Sequence, residues 1–287
     1  MTVVYHYCSN LAFCSIMKQK RLRLSLLSMS NDAKEGQHIL DVASRCLPND
    51  FTHKDDFLEQ LKQIISLVSA IGFCASADGD LLSQWRGYAD EARGMAIGFD
   101  RDALAAAAKA ESDDDLIVRL APILYGDIYQ DDLMSTDLNP IIQHYNSGNM
   151  RRPGFATLLT CITEEEREAD RLRYDKANSD LFLMLMKIVN YSYMVKSPFF
   201  AEENEWRIHV LLTAHNNNLD LPNAQFYPSA DKIKPFRDFP LKGFAPAMVK
   251  EVVLGPRNQT PIEVARLFLN SQGFEHVTLR QSKGSYR

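Results

Sequence analysis

Strand-like and helical patterns are segregated along this chain, and that segregation limits its possible folds more than any other feature. Val3–Cys8 is β-branched and aromatic, and Arg21–Leu26 (RLRLSL) alternates basic and apolar residues with the period of a half-buried strand. Ala70–Ala75, Gly94–Phe99, Leu120–Tyr125, Glu205–Leu212, Val249–Leu254 and His276–Arg280 read as further strands. Helical periodicity fills 37–46 and 54–69, separated by the turn residues Pro48, Asn49 and Asp50. It returns from 127 to 195, most clearly over 171–195. Short helices follow the capping residues Ser9 and Asp100, and Pro261 opens another that ends at Gly273. The polar stretch Ser76–Arg93 reads as a loop. Strands early and late with helices between do not alternate as βαβα, so the pattern predicts α+β rather than a doubly wound parallel sheet. No Gly-, Ser- or Pro-rich linker flanks the helical middle. The expectation is a single domain over 1–287, with 1–126 and 196–287 forming the core and 127–195 a helical insertion.

At 287 residues and 46% hydrophobic content, the chain can bury a core without disulfides or metals. The five cysteines, Cys8, Cys14, Cys46, Cys74 and Cys161, are odd in number and form no CxxC pair. That usage suits reduced thiols in a cytoplasm better than a disulfide framework or a zinc site. The longest apolar run, Leu181–Val189, is interrupted by Lys187 and falls short of the ~18–20 residues a span needs, so no membrane association is expected. MTVVYHY leads straight into a strand pattern without the basic segment of a secretory leader. With 32 Lys+Arg against 37 Asp+Glu the net charge is −5, which argues against a general grip on nucleic-acid backbone but leaves room for a local basic groove. No P-loop, GxGxxG, HExxH, GxSxG or EF-hand spacing occurs, and no two of the seven histidines sit at i,i+4. No metal is expected.

Three clusters carry the remaining chemistry. In Tyr5-His6-Tyr7-Cys8-Ser9, His6 points opposite to its aromatic neighbours on a strand. It can donate to a ligand hydroxyl while Tyr5 and Tyr7 offer a stacking face, or simply be a hydrogen-bonded core histidine. In Ser83-Gln84-Trp85-Arg86-Gly87-Tyr88, Trp85 and Tyr88 can stack on a flat ring while Arg86 binds an anion bidentately. Equally, Trp85 can anchor the segment to the core. In Glu202-Glu203-Asn204-Glu205-Trp206-Arg207, Glu203 and Glu205 share a face if the strand begins there, with Arg207 placed to pair with one of them. Such carboxylates can stabilise a developing cation, or form a solvated entry to a strand.

The ordered blocks YHYCS, RLRLS, ND..EG, LLSQWRGYAD, GMAIGFD, ENEWRI, VVLGP and SKGSYR together resemble a bacterial family, the domain of unknown function twenty-nine seventy-one. Its members typically begin YHYTS and carry SQWRGYG and EWR blocks. Here Cys8 stands in place of the usual Thr and Ala89 in place of a Gly, and the helical middle is longer. The layout is similar to the ADP-ribosyltransferase fold, so the resemblance implies a mixed, largely antiparallel core of that kind with NAD as co-substrate. It further implies that His6 bonds the nicotinamide ribose and that Trp85 or Tyr88 covers the nicotinamide. Arg86 with Arg23 would hold the pyrophosphate, and Glu205, or Glu203, would be the catalytic carboxylate. The expected activity is transfer of ADP-ribose to a macromolecule, nucleic acid or protein, in a toxin or anti-phage setting with a neutralising or regulatory partner protein. The alternatives are a non-catalytic nucleotide or nucleic-acid sensor of the same fold and an NAD glycohydrolase. A carboxylate free to meet the ribose separates the enzymes from the sensor.

Overall fold

The structure, a computed structural model, describes residues 2–32, 34–112, 117–125, 127–150, 163–215, 218–219, 221, 223–228, 232–241 and 245–286. In chain order the first elements are β1 (Val3–Cys8), α1 (Asn10–Gln19), β2 (Arg21–Leu26), α2 (His38–Cys46), α3 (Lys54–Ser66) and β3 (Val68–Ser76). Then come α4 (Leu82–Tyr88), β4 (Met95–Asp100), α5 (Arg101–Ala110), β5 (Arg119–Pro122), α6 (Asp127–Asn146) and α7 (Glu164–Val189). The chain continues with β6 (Glu205–His215), β7 (Asn218–Leu219), β8 (Gln225–Pro228) and β9 (Ile233–Pro240). It closes with α8 (Ala245–Met248), β10 (Val249–Leu254), α9 (Ile262–Ser271) and β11 (Thr278–Gln281).

Two compact units result. Met1–Asp32, Ser69–Ile123 and Phe199–Arg287 make a sheet unit, and Ala33–Val68 with Leu124–Pro198 make a helical one. The sequence reading confines the helical part to 127–195; the unit also takes in 33–68, and 151–162 lie outside the described residues. Its core gathers Phe57, Leu61, Leu138, Ile141, Leu185 and Ile188.

The architecture is α+β with a mostly antiparallel open sheet. The strand order is β11-β10-β4-β1-β3-β2-β9-β8, and β6 also pairs with β3 while carrying β5 and β7. Among the paired strands with a described register, β10 and β11 run parallel and the others antiparallel. Alternation in β2 buries Leu22 and Leu24 in the core and leaves Arg21 and Arg23 on the opposite, exposed face. Ser9 caps α1 by accepting from the Ala12 N–H, and Asp100 caps α5 by accepting from Asp102 and Ala103. Lys20, left-handed at φ 51°, ends α1 and turns the chain directly into β2.

Two expectations need correction. The loop expected over Ser76–Arg93 contains the helix α4, whose Trp85 N–H bonds the Leu81 carbonyl. The polar, Gly-containing composition hid it, because one buried face carried by Gln84 and Trp85 was enough to fold the segment. The strand pair β8–β9, absent from the sequence reading, is the second. Pro235 and Pro240 interrupt its pattern, yet the Pro ends tolerate a pairing with β2 and β8 that runs from Phe236 to Pro240 on one side and from Ile233 to Phe236 on the other.

One local feature positions the site. β1 meets β3 at Tyr5↔Ser76, whereas β2 meets it at Ser25↔Gly72 and Leu26↔Ile71. The two strands therefore diverge along β3, with Phe73–Ala75 between their contacts. The helix α1, which joins them, lies over the gap.

Candidate functional site

A cavity of about 190 Å³ occupies this gap. His6 from β1, Phe73 from β3, and Arg21, Arg23 and Ser25 from β2 line it; Ala12, Ser15, Ile16 and Gln19 of α1 cover it, and Tyr227 and Asp238 come from β8 and β9. Each contribution follows from strand or helix period: alternate residues of β2 face one way, and α1 presents residues three or four apart.

The imidazole of His6 lies against Phe73, with ring centroids 4.3 Å apart, and its Nδ1 is 2.8 Å from the Cys74 carbonyl oxygen. A carbonyl only accepts, so Nδ1 carries the proton and Nε2 is the acceptor of a neutral ring. Burial pushes the imidazole down to about 4, against a smaller opposing effect of the Cys74 bond, which keeps it neutral at pH 7. Nε2 has no protein partner among the described residues.

The cationic side of the cavity has two unlike arginines. Arg21 is paired with Asp238 at 2.9 Å. Arg23 makes no ion pair among the described residues; its guanidinium lies 5.4 Å from the Tyr227 ring and 4.7 Å from that of Phe236. Aromatic faces hold the fork in place without neutralising it, which leaves its donors for an anion. Tyr227 and Ser25 hydroxyls approach each other at 3.5 Å and add polar edges.

The structure thus brings two of the sequence candidates, His6 and Arg23, into one cavity. The others lie elsewhere. Tyr7 is buried, donates to the Asp78 carbonyl at 2.8 Å and accepts from the Leu81 N–H, and burial raises its phenol. Trp85, 1% exposed, meets Tyr7 edge-on at 4.7 Å and donates its indole N–H to Asp80 at 2.8 Å. Arg86 is exposed, its guanidinium 5.8 Å from the Tyr286 ring. Tyr88 donates to Glu203 at 3.0 Å.

The two glutamates are not a strand-face pair. Glu203 belongs to a 3₁₀ turn over Pro198–Glu203, and Asn204 at φ 43° separates it from β6, which starts at Glu205. Glu205 and Arg207 do share a face, as i,i+2 spacing requires. They form a buried fork-to-carboxylate pair, Nε to Oε1 at 2.8 Å and Nη2 to Oε2 at 3.1 Å. Neither carboxylate lines the cavity.

Residues 84–208 match the model of a family described as protein of unknown function DUF2971. Over that segment, somewhat under half of its length, the chain is similar to DUF2971. Searches of curated proteins and of solved structures returned no match. The DUF2971 segment holds Trp85, Arg86, Tyr88, Glu203 and Glu205, whereas His6, Arg23, Tyr227 and Asp238 fall outside it. The EWR block of this chain is accounted for by the Glu205–Arg207 pair. Among the described residues no group of three or more His, Cys, Asp or Glu is arranged to hold a metal ion, Cys8 and Cys14 are free thiols, and no helix is long and apolar enough to cross a membrane. Cys161 lies outside the described residues.

Proposed function

We propose that this protein binds a phosphorylated ligand of the nucleotide class in the cavity between β1 and β2, NAD being the ligand that the family resemblance implies. Arg23 carries the reading: an unneutralised guanidinium fixed on two aromatic rings beside an acceptor-only histidine. The guanidinium suits a phosphate and the His6 Nε2 suits a ribose hydroxyl. When NAD is bound, it supplies an ADP-ribosyl group on a labile nicotinamide bond. The cavity residues fit the ribose and phosphate portions. Tyr7, Trp85, Arg86 and Tyr88 do not line the cavity, so the stacking expected of them forms no part of the proposal. A binding or sensing role is favoured over catalysis because Arg207 engages Glu205 and Tyr88 engages Glu203.

One observation favours a second reading, an ADP-ribosyltransferase-like enzyme that passes ADP-ribose from NAD to a protein or nucleic acid. A carboxylate, Asp238, does line the cavity, where it would stabilise the oxocarbenium-like state of nicotinamide loss. The toxin or anti-phage setting, with a neutralising partner, belongs to this reading.

Calorimetric titration of the full chain with ADP and with NAD tests both. Both ligands are expected to bind the wild type, and Arg23→Ala to weaken them about 10-fold or more, the worth of a charge-assisted bond. Nicotinamide release from NAD in the presence of cell lysate, abolished by His6→Ala, would move the conclusion to the enzyme. Absence of binding by either nucleotide would overturn the first reading.

A further inference from the structure

Asp238 has a geometry that its ion pair does not explain. It stands on β9 directly opposite Arg23 of β2, so both side chains share the cavity face. Yet Arg23 turns to the rings of Tyr227 and Phe236 and forms no pair with it. The two bonds Asp238 does accept, from Arg21 Nη1 and from Gln225 Nε2, both at 2.9 Å, end on the same oxygen, Oδ2. Oδ1 receives no hydrogen bond from the described residues, although a carboxylate oxygen has two lone pairs to fill. Asp238 lines the cavity with its side chain 20% exposed, so a ligand that covers Oδ1 removes its water and must replace those bonds.

We infer that Asp238 reads a hydroxyl of the ligand through Oδ1, so that the cavity selects hydroxylated phosphate esters of the ribonucleotide type. Arg23 draws in an anion, but an anion without a donor would leave Oδ1 of Asp238 unpaired beside it. A phosphate ester that also presents a hydroxyl satisfies Arg23 with one end and Oδ1 with the other. The second open acceptor, Nε2 of His6, imposes the same demand, since a neutral ring with its proton on Nδ1 offers nothing to a phosphate oxygen. Arg21 and Gln225 act here as positioning residues: by holding Oδ2 they fix the carboxylate plane and keep Oδ1 available. The inference rests on the phosphate-ester reading of the cavity.

Titration of the full chain with ADP, 2′-deoxy-ADP, 3′-deoxy-ADP and inorganic pyrophosphate tests it without any variant. ADP is expected to bind about 10- to 100-fold tighter than at least one deoxy analogue, the range for a hydrogen bond to a charged group. Asp238→Asn should bring that ratio towards one, whereas Arg23→Ala should weaken ADP and both analogues alike. Equal affinity of the wild type for ADP and both analogues overturns the inference while leaving phosphate binding intact. So does an unchanged ratio in Asp238→Asn. Binding of none of the four overturns the phosphate-ester reading and this inference with it.

Discussion

Asp80 is a carboxylate taken up entirely by the scaffold. It accepts the Trp85 indole N–H and the Lys283 backbone N–H, each at 2.8 Å, and the Ser282 hydroxyl, and the Arg280 guanidinium lies 3.5 Å away. Burial alone would raise its pKa, but these donors outweigh burial and hold the carboxyl below its ordinary value. A group depressed in the folded state contributes stability above its unfolded pKa, near ~3.9, and loses it as the pH falls through the folded value. Asp80→Asn is therefore expected to lower stability by about 1–3 kcal/mol at pH 7, and to flatten the acid limb of the stability profile below about pH 4. Urea unfolding at a series of pH values measures both; an unchanged midpoint at pH 7 would show that the donors find equivalent partners. Asp238 makes a different use of the same functional group, and the sequence treats the two unequally. The place of Arg23 on one face of a strand was legible in the strict alternation of RLRLS, and its anion-holding role was an expectation from the family resemblance. Asp238 was not, because it is a single Asp between Arg237 and Phe239, and its meaning arises only when β9 pairs with β2. His6 was legible as a residue but not as an acceptor, since the Cys74 carbonyl that fixes its tautomer belongs to another strand.

At the scale of elements, capping chemistry decided more than hydropathy. α7 begins with acidic residues Glu164, Glu165 and Glu166, and its first turns are exposed. What starts it is a capping box: the Thr163 hydroxyl accepts from the Glu166 N–H, and the Glu166 carboxylate accepts from the Thr163 N–H at 2.7 Å. The three carboxylates also face the positive end of the helix dipole. Thr163→Ala is expected to cost about 1 kcal/mol and to show as faster amide exchange across the first two turns, with Leu185 and Ile188 in the core still protected. Exchange unchanged at Glu166 and Arg167 would mean that the acidic turn suffices without the cap. Thr163 and Glu166 stand three apart in the sequence, so the signal for this start is local, unlike that of α4, yet the periodicity reading ran 127–195 as one helical stretch and did not place it. The fold of α4 depends on the Tyr7 ring and the Asp80 carboxylate meeting Trp85, and no local pattern announces such contacts. Gly94, just before β4, illustrates the same dependence: a Cβ there would run into the Cys8 carbonyl oxygen, from a strand far away in the chain.

For the whole molecule, the α+β class followed from segregated strand and helix patterns, but the order of strands did not. β3 takes β1, β2 and β6 as neighbours, and only that branching opens the cavity in which His6 and Arg23 meet. Hydrophobic period tells which face of a strand is buried and nothing about which strand lies beside it. Charge, by contrast, is a global property read directly from the sequence, and it bears on which phosphates this protein can hold. The net charge is −5, and several basic side chains are already paired, among them Arg21 with Asp238, Arg45 with Asp131 and Arg93 with Asp90. Polymer binding draws on many phosphate contacts and the counterions they release, whereas a nucleotide needs one fixed guanidinium. The expectation is that ADP binding falls only mildly between 50 and 200 mM salt, losing far less than the ~10³-fold or greater loss of a protein that neutralises six or more phosphates. A single-stranded oligonucleotide added in excess should leave the ADP isotherm unchanged at physiological ionic strength. Titration of ADP against both salt and oligonucleotide decides between these cases. A steep salt slope together with displacement of ADP by the oligonucleotide would mean that Arg23 belongs to a backbone-tracking groove, and that the ligand is a nucleic acid rather than a free nucleotide.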